Sequence, residues 1–180
     1  MTTPSRDVIA AVLPDADLDR SPLATATVTG DGWVAAAQAV RDDPRTACTW
    51  PDFLAASDEV PRRDGDVDGF AVTLRVWSPE HRRAVFLRTV VERSDPRLAT
   101  LTGLWPGLAW HERETAELHG VVFVGHPDPR PLLLPDTPDA PKFPLRKLFE
   151  LSRRDESSWP GAADPAGARG RPPRPHRLVP

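Results

Sequence analysis

The sequence contains a single cysteine, Cys48, among 180 residues. An internal disulfide needs two thiols and a cysteine-ligated iron–sulfur cluster needs several, so this chain alone forms neither. The phosphate-binding patterns G-x-G-x-x-G and G-x-x-x-x-G-K-[ST] are also absent. We therefore expect no cofactor held by cysteines and no nucleotide held by a standard glycine-rich loop.

A strong net charge and long apolar runs are absent as well. The net charge is −3 with 27% charged residues, which gives no reason to expect a nucleic-acid partner. No stretch approaches the ~20 consecutive apolar residues of a membrane-spanning helix, and the N-terminus does not resemble a signal peptide. The expected protein is soluble and cytoplasmic, and it reaches a membrane only through another protein.

Alternating apolar residues predict the strands of a sheet. The pattern is clearest in residues 70–77 and 83–91, and a further strand is expected at residues 47–54. Turn-forming residues separate these segments, so we expect an antiparallel meander. Residues 121–124 predict one more short strand.

Apolar residues at helical spacing predict the helices. A short helix is expected within residues 1–24, and a second one begins with Asp31 as its N-cap and ends before Pro44. Residues 98–119 predict two short helices at an angle, because a Pro-Gly pair interrupts their pattern. The later helix is expected to stop at Gly120, the residue type best suited to the left-handed conformation.

The C-terminal third has a different composition. Residues 125–151 combine many prolines with eight leucines and phenylalanines, which predicts an extended arm that lies against another surface. Residues 152–180 contain almost no large apolar residue and are expected to be a disordered tail.

These patterns predict an α+β fold, with an antiparallel or mixed sheet and helices packed on one face. Its expected parts are an N-terminal helix and loop in residues 1–24, a core domain in 25–124, the extended proline-rich and leucine-rich arm in 125–151, and the tail in 152–180.

A histidine-rich and acid-rich stretch invites a metal or acid–base interpretation. It contains His111 and His119, with His126 close behind. Two zinc-binding histidines on a helix usually lie one turn apart, whereas His111 and His119 are eight residues apart. A solvated helix face is the simpler interpretation, and a metal-dependent hydrolase built on the three histidines stays as an alternative.

One region resembles a known family. The resemblance lies in the order and spacing of motifs between residues 104 and 151, and the motifs are Trp105-Pro106, Glu112-Arg113-Glu114, Leu118, Gly120, Gly125-His126-Pro127, Leu132 to Leu134 and Pro144-Leu145-Arg146-Lys147. Together they resemble the signature region of the C subunit of NADH-quinone oxidoreductase, the respiratory complex I. Upstream, residues 30–103 are similar in order to the domain of that family.

The resemblance implies a protein without an active site of its own. It implies no catalytic residue, no cofactor and no metal, and a place in the peripheral arm of a proton-translocating complex on the cytoplasmic face of the plasma membrane. The implied partners are the large quinone-site subunit and its iron–sulfur neighbour, with no nucleic acid. An equivalent subunit of a membrane-bound hydrogenase-type complex is the alternative within the same structural family.

The resemblance also changes the interpretation of the charged side chains between residues 112 and 147. They become candidates for paired charges at an interface between subunits, where the loss of one partner is costly. The predicted interface residues are Glu112, Arg113, Glu114, Glu117, His126, Arg130, Arg146 and Lys147.

Overall fold

The computed structural model describes residues 6–19, 25–59, 68–135, 137–138 and 140–150. The α+β class is confirmed, because helices and strands mix along this part of the chain. In chain order the elements are α1 Arg6–Val12, β1 Asp17–Leu18, β2 Thr25–Thr27, α2 Trp33–Asp42, β3 Trp50–Glu59, β4 Gly69–Ser78, β5 Arg83–Glu92, β6 Arg97–Ala99, α3 Leu108–His119 and β7 Val122–Val124.

The main sheet has the strand order β1-β2-β5-β4-β3. Its largest part is the antiparallel meander of β3, β4 and β5, as the alternating pattern predicts. The sheet is mixed because β2 runs parallel to β5. Strands β1 and β2 are two and three residues long, too short to show a periodic pattern, and the sequence prediction missed them. The first long strand begins at Trp50 and extends to Glu59, later than expected.

One face of the main sheet carries the core. Leu74 of β4 and Leu87 of β5 are directly opposite each other, and both are fully buried. Helix residues such as Trp33, Val40 and Leu108 belong to the same apolar cluster, so the helices pack on one face of the sheet as predicted. The next residues along the strands, such as Arg75, face the other side.

Two local predictions are wrong. The N-cap of α2 is Gly32 rather than Asp31, and the backbone N–H of Gly32 donates to the Thr29 hydroxyl at 3.2 Å. The first of the two helices expected in residues 98–119 is replaced by β6 and a series of turns. Strand β6 pairs in parallel with β7, and this distant partner outweighs the local helical spacing.

The later helix and the short strand are confirmed. Helix α3 ends at Gly120, whose φ of 81° is the left-handed conformation that glycine adopts without strain. Strand β7 follows immediately. The described residues after position 124 form turns and irregular chain, with no helix or strand among them. The predicted tail in residues 152–180 lies outside the described part of the chain.

Within the described ranges, no helix is both long enough and apolar enough to cross a membrane.

The pairing of β4 with β5 requires a glycine at position 69. A Cβ at Gly69 would overlap the carbonyl oxygen of Val91, so Gly69→Ala forces the two strands apart. We expect the free energy of unfolding of the full chain to fall by about 1–3 kcal/mol in urea denaturation. Gly103→Ala is the control, because a Cβ there meets no atom within 4 Å. Equal stability of the two variants would contradict this account.

Candidate partner-binding surface

Helix α3 carries polar groups on its buried face. Leu108, Glu112, Thr115 and His119 are spaced three or four residues apart, so they share one side of the helix, and all four are buried. A carboxylate and an imidazole are therefore enclosed by the fold. Such groups need partners inside the protein. Glu112 has them, whereas the Nδ1 of His119 has no hydrogen-bond partner among the described residues.

Glu112 connects α3 to the turn that follows β6. Its side chain is fully buried, and it accepts hydrogen bonds from the Thr100 hydroxyl at 2.5 Å and from the Leu101 backbone N–H at 2.7 Å. Burial raises the pKa of Glu112 above its usual value, and the two hydrogen bonds and His126 only partly offset this effect. Glu112 is thus a structural carboxylate that fixes the chain before α3.

His126 connects the other side of Glu112 to the chain that follows β7. Its Nε2 lies 3.1 Å from the Ala109 carbonyl oxygen, and its Nδ1 accepts the Asp128 backbone N–H at 3.0 Å. In this arrangement Nε2 faces a carbonyl acceptor and Nδ1 faces a backbone donor. The same Nε2 lies 3.9 Å from a carboxylate oxygen of Glu112. His126 therefore anchors the first residues after β7 to the start of α3.

Arg113 and Glu117 hold the next part of the chain. Arg113 donates from Nε to the Arg130 carbonyl at 2.8 Å and from Nη2 to the Pro131 carbonyl at 2.6 Å. Its Nη1 also lies 3.5 Å from a carboxylate oxygen of Asp128. One turn further along α3, the Glu117 carboxylate accepts the three backbone N–H groups of residues 132–134 at 3.2, 2.6 and 2.9 Å.

The environment of Glu117 stabilises its charged form. Burial raises the pKa of Glu117, but the three backbone hydrogen bonds and the nearby charge of Arg113 outweigh it, so the net pKa lies below the usual value. A proline-rich chain that forms no helix or strand leaves its backbone groups without regular partners. Here Glu117 and Arg113 supply those partners from the side of a helix.

Arg146 closes the C-terminal end of α3. Its Nε donates to the His119 carbonyl at 2.8 Å, and its guanidinium lies 4.2 Å from the ring centre of Phe143 and 5.0 Å from that of Phe70. Burial and the charge of Arg93 lower the pKa of Arg146 from its usual value. A Cβ at Gly120 would overlap this guanidinium.

Asp58 joins the same region to the sheet. It is buried on β3, pairs with the guanidinium of Arg93, and accepts the Lys147 backbone N–H at 2.8 Å. Burial raises the pKa of Asp58, but Arg93 and Lys147 outweigh it and hold the net pKa below its usual range. The chain around Lys147 is thereby fastened to both α3 and β3.

The structure divides the predicted interface residues into two groups. Glu114, Arg130 and Lys147 are exposed. The other residues bind the chain's own backbone or its turns, and they are Glu112, Arg113, Glu117, His126 and Arg146. The sequence prediction missed Asp58 and Arg93, because nothing in a strand pattern marks a buried carboxylate for pairing with a distant arginine.

Large apolar side chains are exposed next to these contacts. Among the described residues, seven are prominently exposed, and one of them, Trp50, lies on β3. The other six lie on α3, on β7 or in the proline-rich segment of residues 125–149 that α3 holds. These six residues are Trp110, Val122, Val124, Leu133, Leu145 and Leu148.

A cleft of about 250 Å³ opens beside them. It is lined by α3, by β7 and by the proline-rich segment, and the residues are Glu112, Arg113, Ala116, Gly120, Val121, Val122, Phe123, His126, Pro129 and Phe143. The polar groups of Glu112, Arg113 and His126 already bind other parts of the chain. The remaining wall is mostly apolar.

The histidine-based metal interpretation finds no support in this arrangement. His126 binds the Ala109 carbonyl, whereas His119 packs edge-on against Phe70 with ring centres 6.2 Å apart. In the part of the chain that the structure describes, no group of three or more His, Cys, Asp or Glu side chains is placed to hold a metal ion.

The contact between Glu117 and residues 132–134 predicts a pH-dependent loss of stability. Glu117→Gln removes the charge that the three N–H groups face, so we expect a loss of about 1–3 kcal/mol in the free energy of unfolding at pH 7. Because the folded pKa is lowered, this contribution is present above the usual pKa of 4.5 and is lost as the pH falls through the folded value.

Urea denaturation of the natural chain and of Glu117→Gln between about pH 7 and pH 3 tests this prediction. The difference between their free energies of unfolding should vanish at the acid end. The exposed Glu114 on the same helix provides the control, since Glu114→Gln should change stability by less than about 0.5 kcal/mol. A difference that does not depend on pH would refute the role of the Glu117 charge.

Comparison with known proteins identifies relatives across most of the chain. The profile of the family described as respiratory-chain NADH dehydrogenase, 30 Kd subunit, matches residues 26–155. The C subunit of the NADH-quinone oxidoreductase of Roseiflexus sp. is 33% identical over 148 residues, which cover 81% of this chain and 82% of the relative. The corresponding C subunit of Chloroherpeton thalassium is 34% identical over 137 residues, which are 75% of this chain and 54% of the relative.

A third relative, NADH-quinone oxidoreductase subunit 5 of Thermus thermophilus, is 40% identical over 100 residues, which are 56% of this chain and 47% of the relative. The chain thus spans about half the length of the Chloroherpeton and Thermus relatives.

Two solved structures share the fold. A trypsin-resistant fragment of Nqo5 superposes with a TM-score of 0.55 at 23% identity, covering 68% of this chain and 96% of the fragment. A chain of the membrane-bound sulfane sulfur reductase, an archaeal respiratory membrane complex, superposes with a TM-score of 0.60 at 18% identity, covering 84% of this chain and 95% of that chain. Given the family profile over residues 26–155 and the Roseiflexus relative, the protein belongs to the family of the 30 kDa subunit of respiratory-chain NADH dehydrogenase, which includes the C subunits of NADH-quinone oxidoreductases.

Proposed function

We propose that this chain is a non-catalytic, cofactor-free subunit in the peripheral arm of a proton-translocating NADH-quinone oxidoreductase. Its role is to bind and position other subunits. Its relatives are named as subunits of this oxidoreductase, which supports the assignment. The proposed partners are the large quinone-site subunit and its iron–sulfur neighbour, and the proposed location is the cytoplasmic face of the plasma membrane, reached through these partners.

The observation that carries the proposal is the concentration of exposed apolar side chains around α3. Six of the seven prominently exposed large apolar side chains in the described residues lie on α3, β7 or the proline-rich segment. Scattered apolar residues are normal on a protein surface, but a group of them on a rigid support is typical of an interaction site. Trp110, which is 63% exposed, lies under the guanidinium of Arg113 at 5.6 Å and is typical of such an anchor.

The predicted interface residues then have two kinds of role. Glu112, Arg113, Glu117, His126 and Arg146 position the proline-rich segment through their contacts with it or with the turns beside it. Glu114 and Lys147 are exposed and can contact a partner directly, whereas the exposed Arg130 is paired with Asp128. A surface that is already ordered loses little conformational entropy on binding, which favours a stable complex.

A subunit of a membrane-bound hydrogenase-type complex is the second candidate. Its basis is the fold shared with a chain of the archaeal sulfane sulfur reductase, another respiratory membrane complex. The sequence of the large subunit that co-purifies with the chain distinguishes the two assignments. Cysteines of a nickel site in that subunit would indicate the hydrogenase type.

Arg113→Glu tests the role of the fastened segment. The substitution removes the bonds to the carbonyls of Arg130 and Pro131 and adds a negative charge near Asp128, so it should release this part of the chain. We expect the recovery of the large subunit with the tagged full chain to fall about tenfold or more. Circular dichroism should still show a folded protein.

Arg45→Glu provides the control, because Arg45 is an exposed arginine paired with Asp43 beyond the end of α2. It should co-purify as the natural chain does. Normal assembly of Arg113→Glu would show that the arrangement of residues 128–134 is not needed for binding.

Two truncations test the proposed parts of the chain, which are residues 1–24, 25–124, 125–151 and 152–180. A chain ending at residue 151 should keep its melting temperature and its partners, because the residues beyond contain few large apolar side chains. A chain ending at Val124 should lose its partners, since it lacks Leu133, Leu145 and Leu148. Co-purification and thermal melting check both, and partners retained without residues 125–180 would contradict the proposed division.

A further inference from the structure

A small basic region lies near the end of a domain whose net charge is negative. The chain has two lysines, Lys142 and Lys147, and they lie five residues apart with Arg146 between them. Residues 152–180 contain six arginines and three acidic residues, so with a net charge of −3 for the chain the first 151 residues carry about −6. Three positive charges, those of Lys142, Arg146 and Lys147, therefore lie within six residues of the proline-rich segment, in a domain whose net charge is negative.

The same turn presents the most exposed large apolar side chain of the described residues. Leu148 is 82% exposed and Leu145 is 55% exposed, and the side chains of Lys142 and Lys147 lie in exposed positions beside them. This turn therefore presents two exposed leucines beside two exposed lysines. We call residues 142–148 the docking turn.

The backbone of the docking turn is held in place by several directional contacts. The Leu145 N–H donates to the Leu118 carbonyl at 3.2 Å, and the Lys147 N–H donates to Asp58 at 2.8 Å. Between them, Arg146 donates to the His119 carbonyl and packs on Phe143. The fold thus uses α3 and β3 to fix a turn that points two leucines outward.

We propose that the docking turn binds a neighbouring protein subunit at an apolar socket whose rim carries carboxylates. The inference rests on the proposed function, because it assumes that the chain is part of a complex, and it names the chemistry of the partner surface. Leu148 and Leu145 enter the socket, and the rim carboxylates pair with the ammonium groups of Lys142 and Lys147. An acidic rim is complementary to the two exposed ammonium groups of the docking turn.

The pre-formed shape of the turn favours a protein over an anionic lipid surface. Binding to lipid headgroups needs neither a fixed backbone nor a defined spacing of side chains, and it usually involves a larger cluster of basic residues. Here two lysines and two leucines are held by contacts to two separate elements of the fold. Such pre-organisation is characteristic of recognition by a complementary protein surface.

The test compares variants of the tagged full chain, expressed in its own host and purified with its complex. The double substitution Leu145→Ser with Leu148→Ser should reduce the recovery of partner subunits about tenfold or more. The double reversal Lys142→Glu with Lys147→Glu should do the same, with greater loss at low salt, because like charges then face each other. Thermal melting of the leucine variant should match that of the natural chain, since both leucines are exposed. Melting of the lysine variant shows how much of its loss comes from reversing the charge of Lys147 beside Asp58.

Trp50→Ser is the matched control, because Trp50 is a large apolar side chain that is 63% exposed on β3. It should leave the recovery unchanged. If the natural chain recovers its partners and the leucine variants recover them equally well, the docking turn is refuted while the proposed function stands. If the natural chain recovers no respiratory subunit at all, the proposed function itself fails.

Two further measurements identify what the turn contacts. A photoreactive amino acid in place of Leu148 should crosslink to another subunit, at a peptide that contains apolar and acidic residues. The purified chain should not sediment with vesicles rich in phosphatidylglycerol. Crosslinks to lipid, sedimentation that Lys142→Glu with Lys147→Glu abolishes, or a crosslink to a basic peptide would each overturn the proposal.

Discussion

The carboxylate of Glu117 accepts three consecutive backbone N–H groups, and the arrangement of the proline-rich segment depends on this contact. Prolines prevent the segment from satisfying its own backbone groups in a helix or a sheet. A charged acceptor on a rigid helix replaces that regular pattern, and Arg113 binds the carbonyl groups just before it. An irregular chain thereby acquires a defined shape, which lets its leucines face outward instead of collapsing onto the domain.

The same principle recurs at both ends of α3. Glu112 and His126 hold the turns that follow β6 and β7, and Arg146 binds the carbonyl at the last residue of α3. Buried charged groups contribute little net stability compared with apolar packing, but removing one partner is costly. These contacts therefore disfavour arrangements of the neighbouring backbone in which one of the groups loses its partner. The helix is therefore a framework for loops more than a part of the apolar core.

The sequence predicted the regular elements better than the contacts between them. Strands β4 and β5 alternate so clearly that their faces were predictable, and Gly120 marked the end of α3. The prediction of a helix before α3 was wrong. A strand forms there instead, because β6 pairs with β7, and this pairing joins segments more than twenty residues apart and leaves no local pattern. Resemblance to a family identified the charged residues of α3, but not that several of them bind the chain's own backbone. The pairing of side-chain acceptors with backbone N–H groups depends on the tertiary structure, and residue types alone do not determine it.

The hydrogen bond from Lys147 to Asp58 joins residues 89 positions apart. Contacts of such long sequence separation form late, because a long loop must close before they contribute any stability. During synthesis, β3 leaves the ribosome well before the turn that it will hold. The exposed leucines are therefore presented in their final geometry only after nearly the whole domain has been made and folded. A partner that recognised this geometry would distinguish a finished chain from an incomplete one.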